Sequence, residues 1–328
     1  TPAVDPQALA AFFRYGCIPA PLSIQAGIQQ LPPAHLVTIA AAAQGAAPRP
    51  WWDPIQAAQQ AADRRVFSSE AEALEALDAV LRQAVAEQAI ADVPLGAFLS
   101  GGIDSSLITA LLQAASSRPV RSFTIAFPDA GGGEAGFNEA PYARAVAAHL
   151  GTDHSEVALT AADAQALIPA LPRIYSEPFA DSSQLPTHLV CREARRSGLS
   201  VALSGDGGDE LFGGYNRHRL IPTLHRRLGP WPSLPRRGLA RALEQLPVSA
   251  NGLARDKRRK LAVAIRAAAS LEELQASLTG VWADPRALLQ VASWPGTDPL
   301  LPDAPSPAER LMLADALGYL PNDILVKV

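Results

Sequence analysis

Cysteine is scarce in this chain of 328 residues: there are two, Cys17 and Cys191. Two cysteines so far apart argue against a disulfide framework and suit a reducing compartment. Neither has the spacing of a metal-ligand pair, so each reads as a small buried side chain. Long apolar runs are missing too, and no stretch of the sequence would span a bilayer. The opening, Thr1 to Ala11, carries Asp5 and no basic region, unlike a secretory signal. Excess positive charge is also absent. The formal net charge is −4, which speaks against a general nucleic-acid binder. The expectation is a cytoplasmic protein with no nucleic-acid partner and no membrane partner.

What is present is apolar and rich in alanine. Hydrophobic residues make up 48% of the chain, enough for a sizeable core, and the length suggests two domains or one large one. Residues 1–52 hold prolines and short apolar pieces, and Leu36-Val37-Thr38-Ile39 reads as a strand. This stretch is expected to be a short β-rich piece. Ala40 to Pro50 has no periodicity and reads as a turn. Residues 53–66 read as a linker.

From Phe67 the pattern changes. Leu74, Leu77, Leu81 and Val85 recur at helical spacing behind the capping residues Ser68 and Ser69, predicting a helix over 67–91. Apolar strands are predicted near 95–99, 120–127, 154–159 and 199–203. Helices are predicted from Leu107, near 139–149, near 161–171 and over 184–196, with Gly131-Gly132-Gly133 opening a loop. Strands alternating with helices predict an α/β fold with a doubly wound parallel sheet. In such sheets ligands bind beyond the carboxyl ends of the strands. Beyond residue 216, basic clusters at 217–219, 225–227, 236–237 and 255–260 read as solvated helix faces and caps, with contacts to phosphate or a partner domain left open.

Two loops carry chemistry. Ser100-Gly101-Gly102-Ile103-Asp104-Ser105-Ser106 follows the strand Leu95 to Leu99 and precedes the helix from Leu107. Strand, glycine loop and helix in that order aim backbone N–H groups and the positive end of a helix dipole at one small volume, where an anion binds. Gly101 and Gly102 let a bulky anion approach the backbone, and the serines add hydroxyl donors. Asp104 would repel a phosphate unless a cation sits between them, so it implies a divalent metal, Mg²⁺ above all. The bland alternative is a Ser/Gly turn that caps a helix. No Gly-Lys-Ser/Thr follows the glycines, so the loop is not a Walker A loop.

The second loop, Ser204-Gly205-Asp206-Gly207-Gly208-Asp209-Glu210-Leu211-Phe212-Gly213-Gly214-Tyr215, follows the fourth strand. Three carboxylates and four glycines crowd between Gly205 and Gly213. Carboxylates at that density call for a cation, the alternative being an exposed acidic turn. EF-hand spacing is absent. An anion-binding and a metal-binding loop at strand ends of one sheet together point to a nucleotide–metal site.

The first loop resembles the pyrophosphate-binding loop of ATP pyrophosphatases, which cut ATP between its α- and β-phosphates. Val93 to Ser106 together with Leu203 to Tyr215 closely resembles the synthetase domain of glutamine-hydrolysing asparagine synthetases. Phe137-Asn138-Glu139, His149 to His154 and Tyr319 to Val328 resemble further segments of that domain. Phe13 to Pro19 and Ile28 to Pro33 resemble the last strands of the family's N-terminal glutaminase domain. The resemblance implies a nucleotide α-hydrolase-like fold, with residues 1–52 the tail of the glutaminase domain and 67–328 a C-terminally truncated synthetase domain.

The reaction implied is aspartate, ATP and ammonia from glutamine giving asparagine, AMP and pyrophosphate through β-aspartyl-AMP. By resemblance, Ser100, Gly101, Gly102, Asp104, Ser105 and Ser106 hold pyrophosphate, and Asp104 and Asp209 hold Mg²⁺. Leu99, Ile125, Ser204 and Gly205 hold adenosine and the α-phosphate, with plain core the competing reading for Ile125. Asp206 stands where many members carry a glutamate tied to acyl-adenylate formation and capture. The family's nucleophile is a cysteine at the mature N-terminus, whereas residue 1 here is Thr1 and Cys17 follows Gly16. The family's later catalytic lysine falls beyond Val328, since Lys327 does not match its context. The chain thus reads as a fragment of an enzyme. The implied partners are the small-molecule substrates and the glutaminase domain of the parent chain, with a homodimer compatible. Competing readings are a β-lactam synthetase or another amidotransferase that adenylates a different carboxylate, and a non-catalytic nucleotide-binding module. An NAD or GMP synthetase is disfavoured by Gly205 to Gly214.

Overall fold

The computed structural model describes residues 2–39, 46–63, 67–128, 138–246, 252–282, 285, 289 and 301–327. Gly131 to Gly133, Phe137, Thr1 and Val328 lie outside the described residues. In chain order the elements are α1 (Pro6–Tyr15), β1 (His35–Leu36), β2 (Arg49–Pro50), α2 (Pro54–Asp63), α3 (Glu70–Gln88), β3 (Leu95–Phe98), α4 (Ile103–Ala115), β4 (Arg121–Ala126), α5 (Ala140–Leu150), β5 (Asp153–Ala158), α6 (Ala161–Leu167), α7 (Leu171–Ile174), α8 (Gln184–Arg196), β6 (Val201–Leu203), α9 (Gly208–Phe212), α10 (Asn216–Leu228), α11 (Ser233–Gln245), α12 (Gly252–Ala267), α13 (Leu271–Thr279) and α14 (Pro307–Leu317). They divide into two units. One comprises Arg64–Ser176, Asp181–Gly208 and Ile324–Val328, and the other Thr1–Asp63, Glu177–Ala180 and Asp209–Asp323.

The first of these is built on a four-stranded sheet in the order β5-β4-β3-β6, with every pair parallel. Period-two alternation assigns its faces. Ala97 joins Val85, Leu111, Leu112 and Val120 under α3 and α4. Phe98 and the fully buried Phe123 pack with Val190, Ala194 and Leu199 under α8. Leu99 lies with Ala143 and Ala147 of α5. Helices on both faces of a parallel sheet are the doubly wound arrangement. The helix ends carry their sequence signals. Ser69 caps α3 through Glu72 N, Thr160 and Asp163 form a capping box on α6, and Gly151 closes α5 in the left-handed conformation. After β3 the chain crosses to β4 and β5 on one side, and β6 returns on the other side of β3. The reversal of strand order therefore falls between β3 and β6, where open α/β sheets leave a crevice at the strands' carboxyl ends.

The other unit is mostly helical. Ile221, Leu274 and Leu311, from α10, α13 and α14, have no exposed surface and form its core with Ala264, Ala268 and Leu271. The N-terminal stretch, expected to be β-rich, instead opens with the ten-residue helix α1. Asp5 caps it by accepting from Gln7 N and Ala8 N, and Pro6 supplies a pre-set first position. Its β content is the short β1–β2 ladder and a Val4–Gln25 bridge. Arg14 of α1 is buried and donates to the carbonyls of Ala276 and Trp282 at 2.9 and 3.2 Å. Glu177 accepts from Ser23 Oγ at 2.6 Å and Ile24 N at 2.7 Å. The stretch read as a linker holds α2, started by Asp53, whose carboxylate accepts from Ile55 N and Gln56 N. Its alanines and glutamines favour a helix, with Ile55 as the one large apolar side chain to announce it.

Candidate active site

The loop after β3 is short because α4 begins inside it. Gly102 is the N-cap, and Asp104, Ser105 and Ser106 lie in the first helical turn. Gly102 contributes no side chain, so the first-turn amides receive no side-chain cap. The start of a helix carries the positive end of its dipole, and here Ser106 N already donates to Gly102 O at 3.0 Å. Hydroxyls brace the turn: Ser100 Oγ and Ser105 Oγ lie 2.9 Å apart, and Ser100 Oγ accepts from Gly102 N at 3.2 Å. Thr109, fully buried, donates to Ser105 O at 2.7 Å. The Ser106 hydroxyl is buried without a partner among the described residues. Gly101 has φ +82°, and a Cβ there would lie 2.6 Å from Ala143 N, so the first turn of α5 backs the loop directly.

The loop after β6 closes onto this turn. A Cβ on Gly205 would lie 2.6 Å from Ser105 N, and one on Gly208 would lie 2.5 Å from Asp104 Cγ. Both approaches require glycine. The Gly207 φ of +91° turns the chain between them, and Gly208 N donates to Gly205 O at 3.2 Å. Ser204 Oγ donates to Asp206 Oδ2 at 2.7 Å, and Asp206 is exposed. The sheet unit thus brings Ser100–Ser106 together with Ser204–Gly208 at the carboxyl ends of β3 and β6.

The remaining predicted residues fall elsewhere. Leu99 is 1% exposed, with its side chain in the α5 cluster, and its N–H donates to Phe123 O. Ile125 sits one residue before the end of β4, half-buried against both the Phe123 and the Leu159 clusters. Asp209 begins the helical unit's share of the chain, directly after Gly208. Its carbonyl accepts from Gly214 N at 3.0 Å. Of the basic clusters, His218 and Arg236 are buried rather than solvated: His218 bonds Asp315, and Arg236 donates to Arg266 O. Asp315 gave no signal in the sequence.

Among the described residues no three His, Cys, Asp or Glu side chains cluster as a self-contained metal site. Asp104 still suits Mg²⁺. It offers hard carboxylate oxygen at the start of a helix, and Mg²⁺ near nucleotides takes one or two carboxylates and fills its shell with phosphate oxygens and water. No helix of the described residues is long and apolar enough to cross a membrane.

A parallel sheet with two facing glycine loops at its switch point, one opening a helix beside a carboxylate, defines a doubly wound α/β domain with a candidate ligand site at the carboxyl ends of its strands. The family described as asparagine synthase matches residues 76–328, so the chain belongs to that family. It is similar to the putative glutamine-hydrolysing asparagine synthetase of Mycobacterium tuberculosis, with 34% identity over 260 residues, covering 76% of this chain and 37% of that protein. It is also similar to asparagine synthetase 1 of Bacillus subtilis, with 31% identity over 218 residues, covering 66% of this chain and 32% of that protein. The chain therefore spans well under half the length of these relatives. Among solved structures, an NMN synthetase from Francisella tularensis shares 14% identity, covering 42% of this chain and 56% of that one at a TM-score of 0.30, too weak a likeness to bear on fold or function.

Proposed function

We propose that this chain is the ATP-using part of a ligase that forms asparagine from aspartate, ATP and ammonia released from glutamine. An aspartate side-chain oxygen attacks the α-phosphorus, the bond to the bridging α,β-oxygen breaks, and pyrophosphate leaves. Ammonia then attacks the acyl carbon of β-aspartyl-AMP, AMP departs and a proton is lost. The observation that carries this reading is the seating of Gly208 against the Asp104 carboxylate, which joins the two loops into one site.

In this reading Ser100, Gly101, Gly102, Ser105 and Ser106 receive the departing pyrophosphate through the backbone at the start of α4 and through hydroxyls, which act where charge develops. Asp104 and Asp209 are the residues that would hold Mg²⁺, which offsets charge on the β- and γ-phosphates when bound. Leu99, Ile125, Ser204 and Gly205 flank adenosine and the α-phosphate, and the exposed Asp206 faces the acyl-transfer step. Residues 1–52 correspond to the end of the glutaminase domain.

The experiment is pyrophosphate release from ATP with ammonium supplied and candidate acids added singly. Release that requires aspartate and yields asparagine supports the proposal. Release with a different carboxylic acid transfers the site to a related amide-forming ligase, and nucleotide binding without release removes the catalytic reading.

A further inference from the structure

Within the helical unit, Asp209 stands on α9, which is only five residues long. So short a helix cannot fix a side chain by its own hydrogen bonding. The turn that follows presses on it: a Cβ on Gly214 would overlap Asp209 Oδ1, so that carboxylate rests against the Gly214 backbone. Whatever holds the turn 213–215 holds Asp209.

A continuous set of contacts holds that turn. Tyr215 donates its hydroxyl to Glu210 Oε1 at 2.9 Å, and Glu210, next to Asp209, is 2% exposed. Burial, the bond to Glu210 and the carboxylates nearby push the Tyr215 phenol well above its ordinary range, so it remains a proton donor. Its ring lies under the Arg217 guanidinium at 3.8 Å and edge-on to His218 and Tyr319. Asp315 of α14, also 2% exposed, accepts from Arg217 Nε at 2.9 Å and pairs with His218 Nε2 at 2.6 Å through one oxygen, Oδ2. Met312, one turn earlier on α14, approaches Gly213, whose φ is +70°. Buried carboxylates of this kind are costly and add little net stability over an apolar core. Glu210 is nevertheless bonded to Tyr215 of this turn, and Asp315 to Arg217 and His218, whose side chains pack on the Tyr215 ring.

We infer that Tyr215, Arg217 and Asp315 are positioning residues for Asp209, a relay from α14 through α10 that aims its carboxylate. The inference rests on the reading of Asp209 as a cation-holding residue. It adds residues that touch neither nucleotide nor cation.

The test is ATP affinity by calorimetry, with and without Mg²⁺, in the whole chain and in Y215F, D315N and D209N, together with the melting temperature of each. The expected result is that Y215F and D315N keep the metal-free affinity and lose about tenfold or more of the Mg²⁺-dependent gain, the size typical of losing a group that orients a metal ligand. A merely structural role would move the melting temperature and leave that gain intact. If D209N loses the gain while Y215F keeps it, the relay is overturned and the cation reading stands. If D209N keeps the gain, both fall. Y215F removes one hydroxyl, so it decides the matter even where D315N fails to fold.

Discussion

Gly208 lies so close to Asp104 that any side chain at 208 would occupy the volume of the Asp104 carboxyl carbon, with a Cβ placed 2.5 Å from it. Because the neighbouring atoms belong to a short side chain at a helix start, the cheapest relief is to swing that carboxylate away. Gly208→Ala should fold with a melting temperature close to the parent and lose Mg²⁺-dependent ATP binding, as Asp104→Asn should. Unchanged metal-dependent binding in the alanine variant would show that Asp104 does not serve the nucleotide from this position.

Two left-handed glycines offer a matched comparison. Gly151 has φ +71° and open space where a methyl would go, whereas Gly101 has φ +82° and backbone atoms 2.6 and 2.7 Å from that position. Gly151→Ala should cost about 1–2 kcal/mol, the left-handed penalty alone. Gly101→Ala should add about 1–3 kcal/mol of overpacking against α5 and weaken ATP binding. Denaturant titration measures both, and equal costs would refute the close backing of the loop by α5.

His154 gives a pH signature. Burial holds its imidazole below the ordinary range, Glu156 opposes and Arg144 adds to the lowering, while Ser122 Oγ bonds its Nδ1 at 2.9 Å. A depressed folded value means that the unfolded chain takes up the proton first, near about pH 6.5. The contribution is therefore full above that pH and is lost as pH falls toward the folded value. His154→Gln should flatten the fall of melting temperature between about pH 7 and 5 relative to the parent. An identical slope in the two proteins would exclude His154 as its source.

The sheet unit is legible in the amino-acid order because each element carries its own punctuation. Ser69, Thr160 and Gly151 mark helix ends, and short apolar runs between them mark strands. The two loops are legible as strand-end loops for the same reason. Their adjacency is not, since it depends on β6 returning beside β3 rather than beyond β5. In the helical unit the charge pattern misleads. His218 and Arg236 sit in basic clusters that resemble solvated faces, yet each is buried by a partner supplied from another helix, and Asp315 lies 97 positions from His218. Local propensity carries no record of such a pairing. Helix α2 escapes notice for the opposite reason: alanine and glutamine favour it, but Ile55 is its one large apolar side chain among ten residues.

The bonds from Arg14 to Trp282 and Ala276 join positions 268 and 262 residues apart. Strands β3 to β6 pair through local crossovers, whereas these two bonds of Arg14 cannot form until residues 276 and 282 are in place. Until then the apolar face of α1, with Ala8, Ala10 and Ala11 destined for burial, is available to chaperones and to misassembly. A chain cut before residue 276 would therefore leave α1 without both of these contacts.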